Sequence, residues 1–175
     1  MLLALGSNID PARHLRRAVR ELDMALGVDR VSRAYEADPL GAPGTPRFVN
    51  AAVAVRTSMD LVELKYRVLR PIEARLGRVR TWDPNAPRTI DIDIAMAGLE
   101  TLEDSELRTR VPDPDIPRHG HLLRPLRDLE PDLLHPEFGA TLDELADALE
   151  TEPGVSVRED LDLEDSLLRS DPDLP

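Results

Sequence analysis

The sequence has 175 residues, a formal charge of −12 and an aromatic content of 3%. An acidic chain with few rings excludes a nucleic-acid binder, which needs a basic face and platforms for bases, and the absence of cysteine excludes disulfides and thiolate metal sites. No apolar run approaches the ~20 residues of a membrane span and no stretch reads as a signal peptide, so no membrane partner is expected and the cytoplasm is the expected location.

The length suits one domain with a real core, here expected over residues 1–158. Of the 22 basic residues, Lys65 is the one lysine and the other 21 are arginine. That composition fits a high-salt habitat, where acidic surfaces keep proteins soluble, and equally a GC-rich coding bias.

In chain order, residues 2–6 (LLALG) read as a buried strand closed by a turn at Gly6-Ser7-Asn8. Asp10 is the expected cap of a helix with Pro11 at its first position. Leu15, Ala18, Val19, Leu22, Ala25 and Leu26 form its apolar stripe and Gly27 ends it. Residues 28–37 are extended, and 38–46 (DPLGAPGTP) form a Pro/Gly-rich loop.

A strand follows at about 48–57, then a helix capped by Ser58 or Asp60 that runs to about Leu76. Pro71 lies inside it and predicts a kink, because its missing N–H leaves the Arg67 carbonyl unpaired. Residues 78–88 are a loop and 89–97 a strand, and Gly98 turns into a short partner strand. Residues 111–118 (VPDPDIPR) form another Pro-rich loop. Thr141 and Glu144 make a capping box for a last helix. From 159 to 175 the chain is acidic and predicts a flexible tail with too few apolar groups to bury. The order β-α-β, β-α-β describes two split βαβ units, an α+β ferredoxin-like sandwich with a mainly antiparallel sheet.

Three constellations carry chemistry. In RTIDIDIAM (88–96) the apolar residues alternate with Asp91 and Asp93. A solvated strand face would be better served by Thr, Lys or Arg, whereas two carboxylates ~7 Å apart can share a divalent cation or a pair of them. Oxygen ligands without Cys or His favour Mg²⁺. Around them, residues 65–90 hold seven basic side chains (Lys65, Arg67, Arg70, Arg75, Arg78, Arg80, Arg88) against Glu73 and Asp83. Arginine forks match phosphate oxygens, and arginines beside a metal-binding carboxylate pair are the parts of phosphoryl transfer. The chain lacks the Gly-rich lysine loop of P-loop enzymes. Third, Phe48 and Asn50 share one side of their strand. They read either as a core ring and a turn-satisfying amide or as a wall that stacks on a flat heterocycle and pairs with its edge.

LALGSN, Tyr35 with Pro39-Leu40-Gly41, FVNAAVAV, Glu73 with LGRVR, PRTIDIDI, and VP ahead of Leu122-Leu123-Arg124-Pro125-Leu126 together resemble the 6-hydroxymethyl-7,8-dihydropterin pyrophosphokinases of folate biosynthesis, in order from about residue 2 to 138. The resemblance implies transfer of the β,γ-diphosphate of ATP to the pterin hydroxymethyl group, with AMP released. It implies two Mg²⁺ ions held by Asp91 and Asp93. It gives phosphate contacts to Arg78 and Arg88, with Arg80 and Arg108, and places Glu73, Ile94 and His119 near the nucleotide. Leu40, Phe48, Asn50 and His121 would hold the reduced pterin. A monomer is expected, with ATP and the pterin as its partners.

The lid loops depart from the family pattern. Asp113 and Pro114 stand where His and Tyr are usual, His119 and His121 where Arg and Phe are, and Thr81 and Asn85 where a basic residue and Trp are, with Trp82 close by. Asp113 either points at Mg²⁺ through water or turns outward; the three prolines of 112–117 favour the second, which leaves the phosphates to Arg108, Arg110, Arg118 or His119. Of the two histidines, one would face the pterin and one solvent. The alternative function is a pterin- or nucleotide-binding relative with weakened turnover.

Overall fold

A computed structural model describes residues 1–38, 46–83, 86–104, 109–149 and 154–168. Its centre is a sheet in the order β5-β1-β4-β3-β8, with β2 also paired to β4, and every pairing is antiparallel. The strands are β1 (Leu2–Ser7), β2 (Val28–Val31), β3 (Tyr35–Ala37), β4 (Phe48–Val55), β5 (Asp91–Met96) and β8 (Ser156–Val157). A separate hairpin joins β6 (Leu102–Asp104) to β7 (Thr109–Val111). The α+β sandwich with a mainly antiparallel sheet is the architecture that the element order predicts.

One face of the sheet carries α1 (Pro11–Leu26), whose buried Leu15, Ala18, Val19 and Leu22 meet Leu3, Leu5, Val53, Ile92 and Ile94. The other face carries α4 (Gly120–Leu129), whose Leu123, Leu126 and Leu129 pack on Leu2, Ala52, Ala54 and Met96. A sheet buried on both faces must be apolar on both, and β4 reads FVNAAVAV for that reason.

Several local expectations are corrected. Gly6 lies inside β1 rather than in a turn. Asp10 sits in the left-handed region at φ 44° and makes no side-chain cap, so Pro11 alone prepares the start of α1. Instead of a proline kink, the second helix has three parts, α2 (Leu61–Glu63), a π-helical turn (Leu64–Leu69) and α3 (Arg70–Arg75). Pro71 falls in the first turn of α3, where no N–H is needed. The widened turn bonds Arg70 N–H to Lys65 C=O and absorbs the missing donor without breaking the helix. Asp60 is the N-cap, accepting from Glu63 N at 2.8 Å, and the Thr141–Glu144 capping box opens α5 (Leu142–Ala148). Gly98 leads only to an Ala97–Glu100 bridge, and β6 pairs with β7 instead.

The acid-rich segment does not behave as a loose tail over 159–167. Leu161 and Leu163 are buried in the main core, and Arg20 Nε donates to the Ser166 carbonyl at 3.2 Å at the start of α6 (Asp165–Leu168). Composition misleads here because two well-placed leucines suffice when a groove beside α1 is ready for them. Leu163→Ala should therefore cost about 2–3 kcal/mol in denaturant unfolding, whereas a frayed tail would leave stability unchanged.

Candidate active site

The antiparallel register places the functional strands side by side. Gly6 is opposite Asn50 on one flank and Asp91 on the other, and Ala4 is opposite Ala52 and Asp93. Asn50, Gly6 and Asp91 thus form one row across β4, β1 and β5, with Asp93 in the next row. A Cβ on Gly6 would lie 3.3 Å from Asn50 Oδ1, so the glycine keeps the floor between amide and carboxylates open. Above this floor lies a cavity of about 390 Å³, closed on one side by the start of α4 with His119, His121 and Leu122.

Asp91 accepts from Arg88 Nη1 at 2.6 Å and faces Arg78 Nη2 at 3.5 Å. Asp93 lies beside Lys65 Nζ at 3.8 Å. Burial, and then the neighbouring Asp91 charge, push the Asp93 carboxyl above its usual range, while Lys65, Arg70 and Arg78 oppose this. Such mutual repulsion is what a bound cation relieves. Five carboxylates line the cavity (Asp38, Asp91, Asp93, Asp113, Asp115) against the guanidinium of Arg88 and two histidines. Among the described residues no group of three or more His, Cys, Asp or Glu could hold an ion by itself. A cation at Asp91 and Asp93 would therefore complete its shell with substrate phosphates and water, the usual way Mg²⁺ is held.

Arg88 is fixed from several sides. Its N–H donates to Asn8 Oδ1 at 2.7 Å, its carbonyl accepts from Asn8 N and Ile9 N at 3.1 and 3.2 Å, and its guanidinium lies over the Phe48 ring at 5.4 Å. Arg78 is nearly buried, and its Nε and Nη1 have no hydrogen-bond partner among the described residues. A buried arginine with unspent donors beside a metal-type carboxylate is suited to an incoming anion.

Glu73 does not line the cavity. It is 1% exposed and accepts from Ile92 N at 3.0 Å, from Arg70 Nη1 at 3.0 Å and from Arg80 Nη2. Burial pushes its carboxyl up, the Ile92 N–H and Arg70 pull it back, and the Asp91 charge pushes it further. Glu73 thus ties α3 and the arginine loop to β5. Arg80 is correspondingly occupied with Glu73. The Ile94 side chain is 4% exposed and packs in the core, because the alternation that turns Asp91 and Asp93 to the cavity turns the side chains of Ile92 and Ile94 away.

Phe48 and Asn50 both line the cavity, and Asn50 Nδ2 is buried without a partner among the described residues. His119 and His121 do not split between ligand and solvent. Both line the cavity, with rings stacked at 5.3 Å. Asp113 does not turn outward either. Its N–H donates to Ala95 C=O at 2.9 Å, which fastens the loop to the end of β5 and points the carboxylate inward. Burial, followed by the charges of Asp115 and Asp93, raises its pKa. Arg118 is exposed and pairs with Asp115, and Arg110 pairs with Glu137. Leu40 and Arg108 lie outside the described residues. Gly6, Ala4 and Asn8 were not anticipated as site residues; the strand register reveals the first two, and the hydrogen bonds to Arg88 reveal Asn8.

Residues 2–131 match the sequence profile of a family described as 7,8-dihydro-6-hydroxymethylpterin-pyrophosphokinase. The chain is 39% identical over 132 residues to the 2-amino-4-hydroxy-6-hydroxymethyldihydropteridine pyrophosphokinase of Bacillus subtilis, covering 73% of this chain and 75% of that one. It is 32% identical over 171 residues to the protein of that name from Synechocystis, covering 95% and 84%. A crystal structure titled as Plasmodium falciparum HPPK-DHPS with SDX-DHP superposes with a TM-score of 0.59 at 15% identity, covering 84% of this chain and 43% of that longer one. That likeness shows the fold. The profile match, spanning the strands that build the cavity, shows that this chain belongs to the 7,8-dihydro-6-hydroxymethylpterin pyrophosphokinase family.

Proposed function

We propose that the protein transfers the β,γ-diphosphate of ATP to the hydroxymethyl oxygen of 6-hydroxymethyl-7,8-dihydropterin in folate biosynthesis. The new bond joins that oxygen to the β-phosphorus, the bond from the β-phosphorus to the α-phosphate oxygen breaks, the hydroxyl proton is lost and AMP departs. The observation that carries this reading is the row Asn50–Gly6–Asp91, with Asp93 in the next row, which lines one cavity with carboxylates and with a buried amide whose Nδ2 has no partner among the described residues.

Asn50 pairs with the edge of the pterin, and Phe48 and His121 hold its faces. Asp91 and Asp93 would hold two Mg²⁺ ions, whose chemistry would be to neutralise triphosphate charge and polarise its oxygens. Arg78 spends its free donors on the diphosphate, and Arg88, braced on Phe48 and Asn8, holds it in line. His119 faces the α-phosphate side of the nucleotide, and the ribose and base extend past Asp113. Positioning and charge neutralisation then supply most of the catalysis. The protein works as a cytoplasmic monomer in which residues 1–158 form one unit that the 159–167 segment straps. The intact carboxylate pair and arginines support full turnover over a weakened binding relative.

The test is direct. Protein, ATP, the reduced pterin and Mg²⁺ should yield AMP and pterin diphosphate in equal amounts, and ADP in place of AMP would refute the reaction. Asn50→Ala should weaken pterin binding by roughly 1–3 kcal/mol, the cost of leaving ring donors and acceptors unpaired in a dry pocket. ATP affinity should hold, and equal losses for both ligands in calorimetry would make Asn50 a structural residue.

A further inference from the structure

Lys65 is the one lysine among 22 basic residues, and it lies inside rather than on the surface, with a side chain 7% exposed. The π-helical turn places it against β5, its Nζ 3.8 Å from Asp93 Oδ1, beyond hydrogen-bond length. It also lines a second cavity of about 480 Å³, together with Glu103, Asp104 and Arg110. Asp93 and Asp113 line both cavities, so the two adjoin at these carboxylates.

A buried ammonium is costly to keep, and a chain that otherwise uses arginine has chosen lysine only here. The two cations differ in shape: guanidinium is a broad planar fork, ammonium a compact point charge. A nucleotide whose diphosphate meets Asp91 and Asp93 in the first cavity, and whose nucleoside occupies the second, must carry its α-phosphate past Asp93 and Asp113. Asp113 repels an anion there. Arg110, the other cation of the second cavity, is half-exposed and pairs with Glu137.

We infer that Lys65 contacts the α-phosphate of the nucleotide as it passes between the two cavities, giving the charge that the acidic lid position 113 cannot. The inference rests on the proposed use of ATP. On nucleotide binding the ammonium exchanges part of its attraction to Asp93 for a phosphate oxygen, while Asp93 turns to the cation of the first cavity.

The test compares the parent protein with Lys65→Met by calorimetry, using AMP without metal and ATP with Mg²⁺, with the pterin and the melting temperature as controls. The expected result is a loss of about tenfold or more in AMP and ATP affinity, with pterin affinity and melting temperature held. Unchanged AMP affinity would overturn the inference, as would a shift confined to the Mg²⁺ concentration needed for turnover, which would mean that Lys65 serves Asp93 alone. If Lys65→Met does not fold, Lys65→Gln, which keeps a polar tip, carries the same comparison. A parent protein that binds no ATP would defeat the proposed function itself. A parent that releases AMP while the variant binds AMP as tightly defeats only the role of Lys65.

Discussion

Asp91→Asn and Asp93→Asn should each lower turnover by roughly 10³-fold, since each removes half of the charge that holds the cations, and cation neutralisation of a triphosphate is worth several kcal/mol. The two should differ in stability. Asp93→Asn relieves the repulsion from Asp91 but takes a counter-charge from Lys65 at 3.8 Å; the two effects oppose, and the variant should melt within a few degrees of the parent. Asp91→Asn takes the counter-charge from Arg88 at 2.6 Å and from the nearly buried Arg78 at 3.5 Å, and should cost about 1–3 kcal/mol. The measurements are steady-state AMP release at saturating Mg²⁺ and thermal unfolding. Near-parental turnover in both variants would remove the metal site from Asp91 and Asp93.

Glu73→Ala should be the most destabilising change near the site, at about 3 kcal/mol. It removes a buried acceptor shared by the Ile92 N–H, Arg70 and Arg80. The orphaned N–H of Ile92 cannot reach water, and the partly exposed Arg80 contributes least because solvent screens it. Turnover should fall as well, although Glu73 does not face the cavity, because the loop carrying Arg78 and Arg80 loses its tie to β5. Glu73→Gln keeps an oxygen for the Ile92 N–H and should lose only about 1 kcal/mol. Denaturant unfolding of the two variants decides the matter, and equal stability of Glu73→Ala and parent would mean that the tie is not formed.

The helix α4 shows where local reading stops. Gly120 opens residues 120–129 and Pro125 lies within them, and both residues disfavour a helix. The segment is nevertheless helical: its leucines close the second face of the sheet, over Leu2, Ala54 and Met96, and burial outweighs the penalty of one proline. His119 and His121 enter the cavity as a consequence, since they sit where that helix begins. The 161–167 strap is the same case, where a docking groove beside α1 overrides an acidic composition.

The sequence by itself determined β1, β4 and β5, α1, the capping box, and the carboxylate pair with Arg78 and Arg88 beside it. These follow from period, from cap chemistry and from charge placed where β-propensity disfavours it, all of which are local. Tertiary structure alone decided that Gly6 is a floor between Asn50 and Asp91, that Asn8 braces Arg88, and that Glu73 is a buried tie to β5. It likewise decided that Ile94 belongs to the core and that Asp113 points inward. Each of these depends on which residue lies opposite in a neighbouring strand or helix. That register is set by the packing of whole faces against one another, and no short window of sequence contains it.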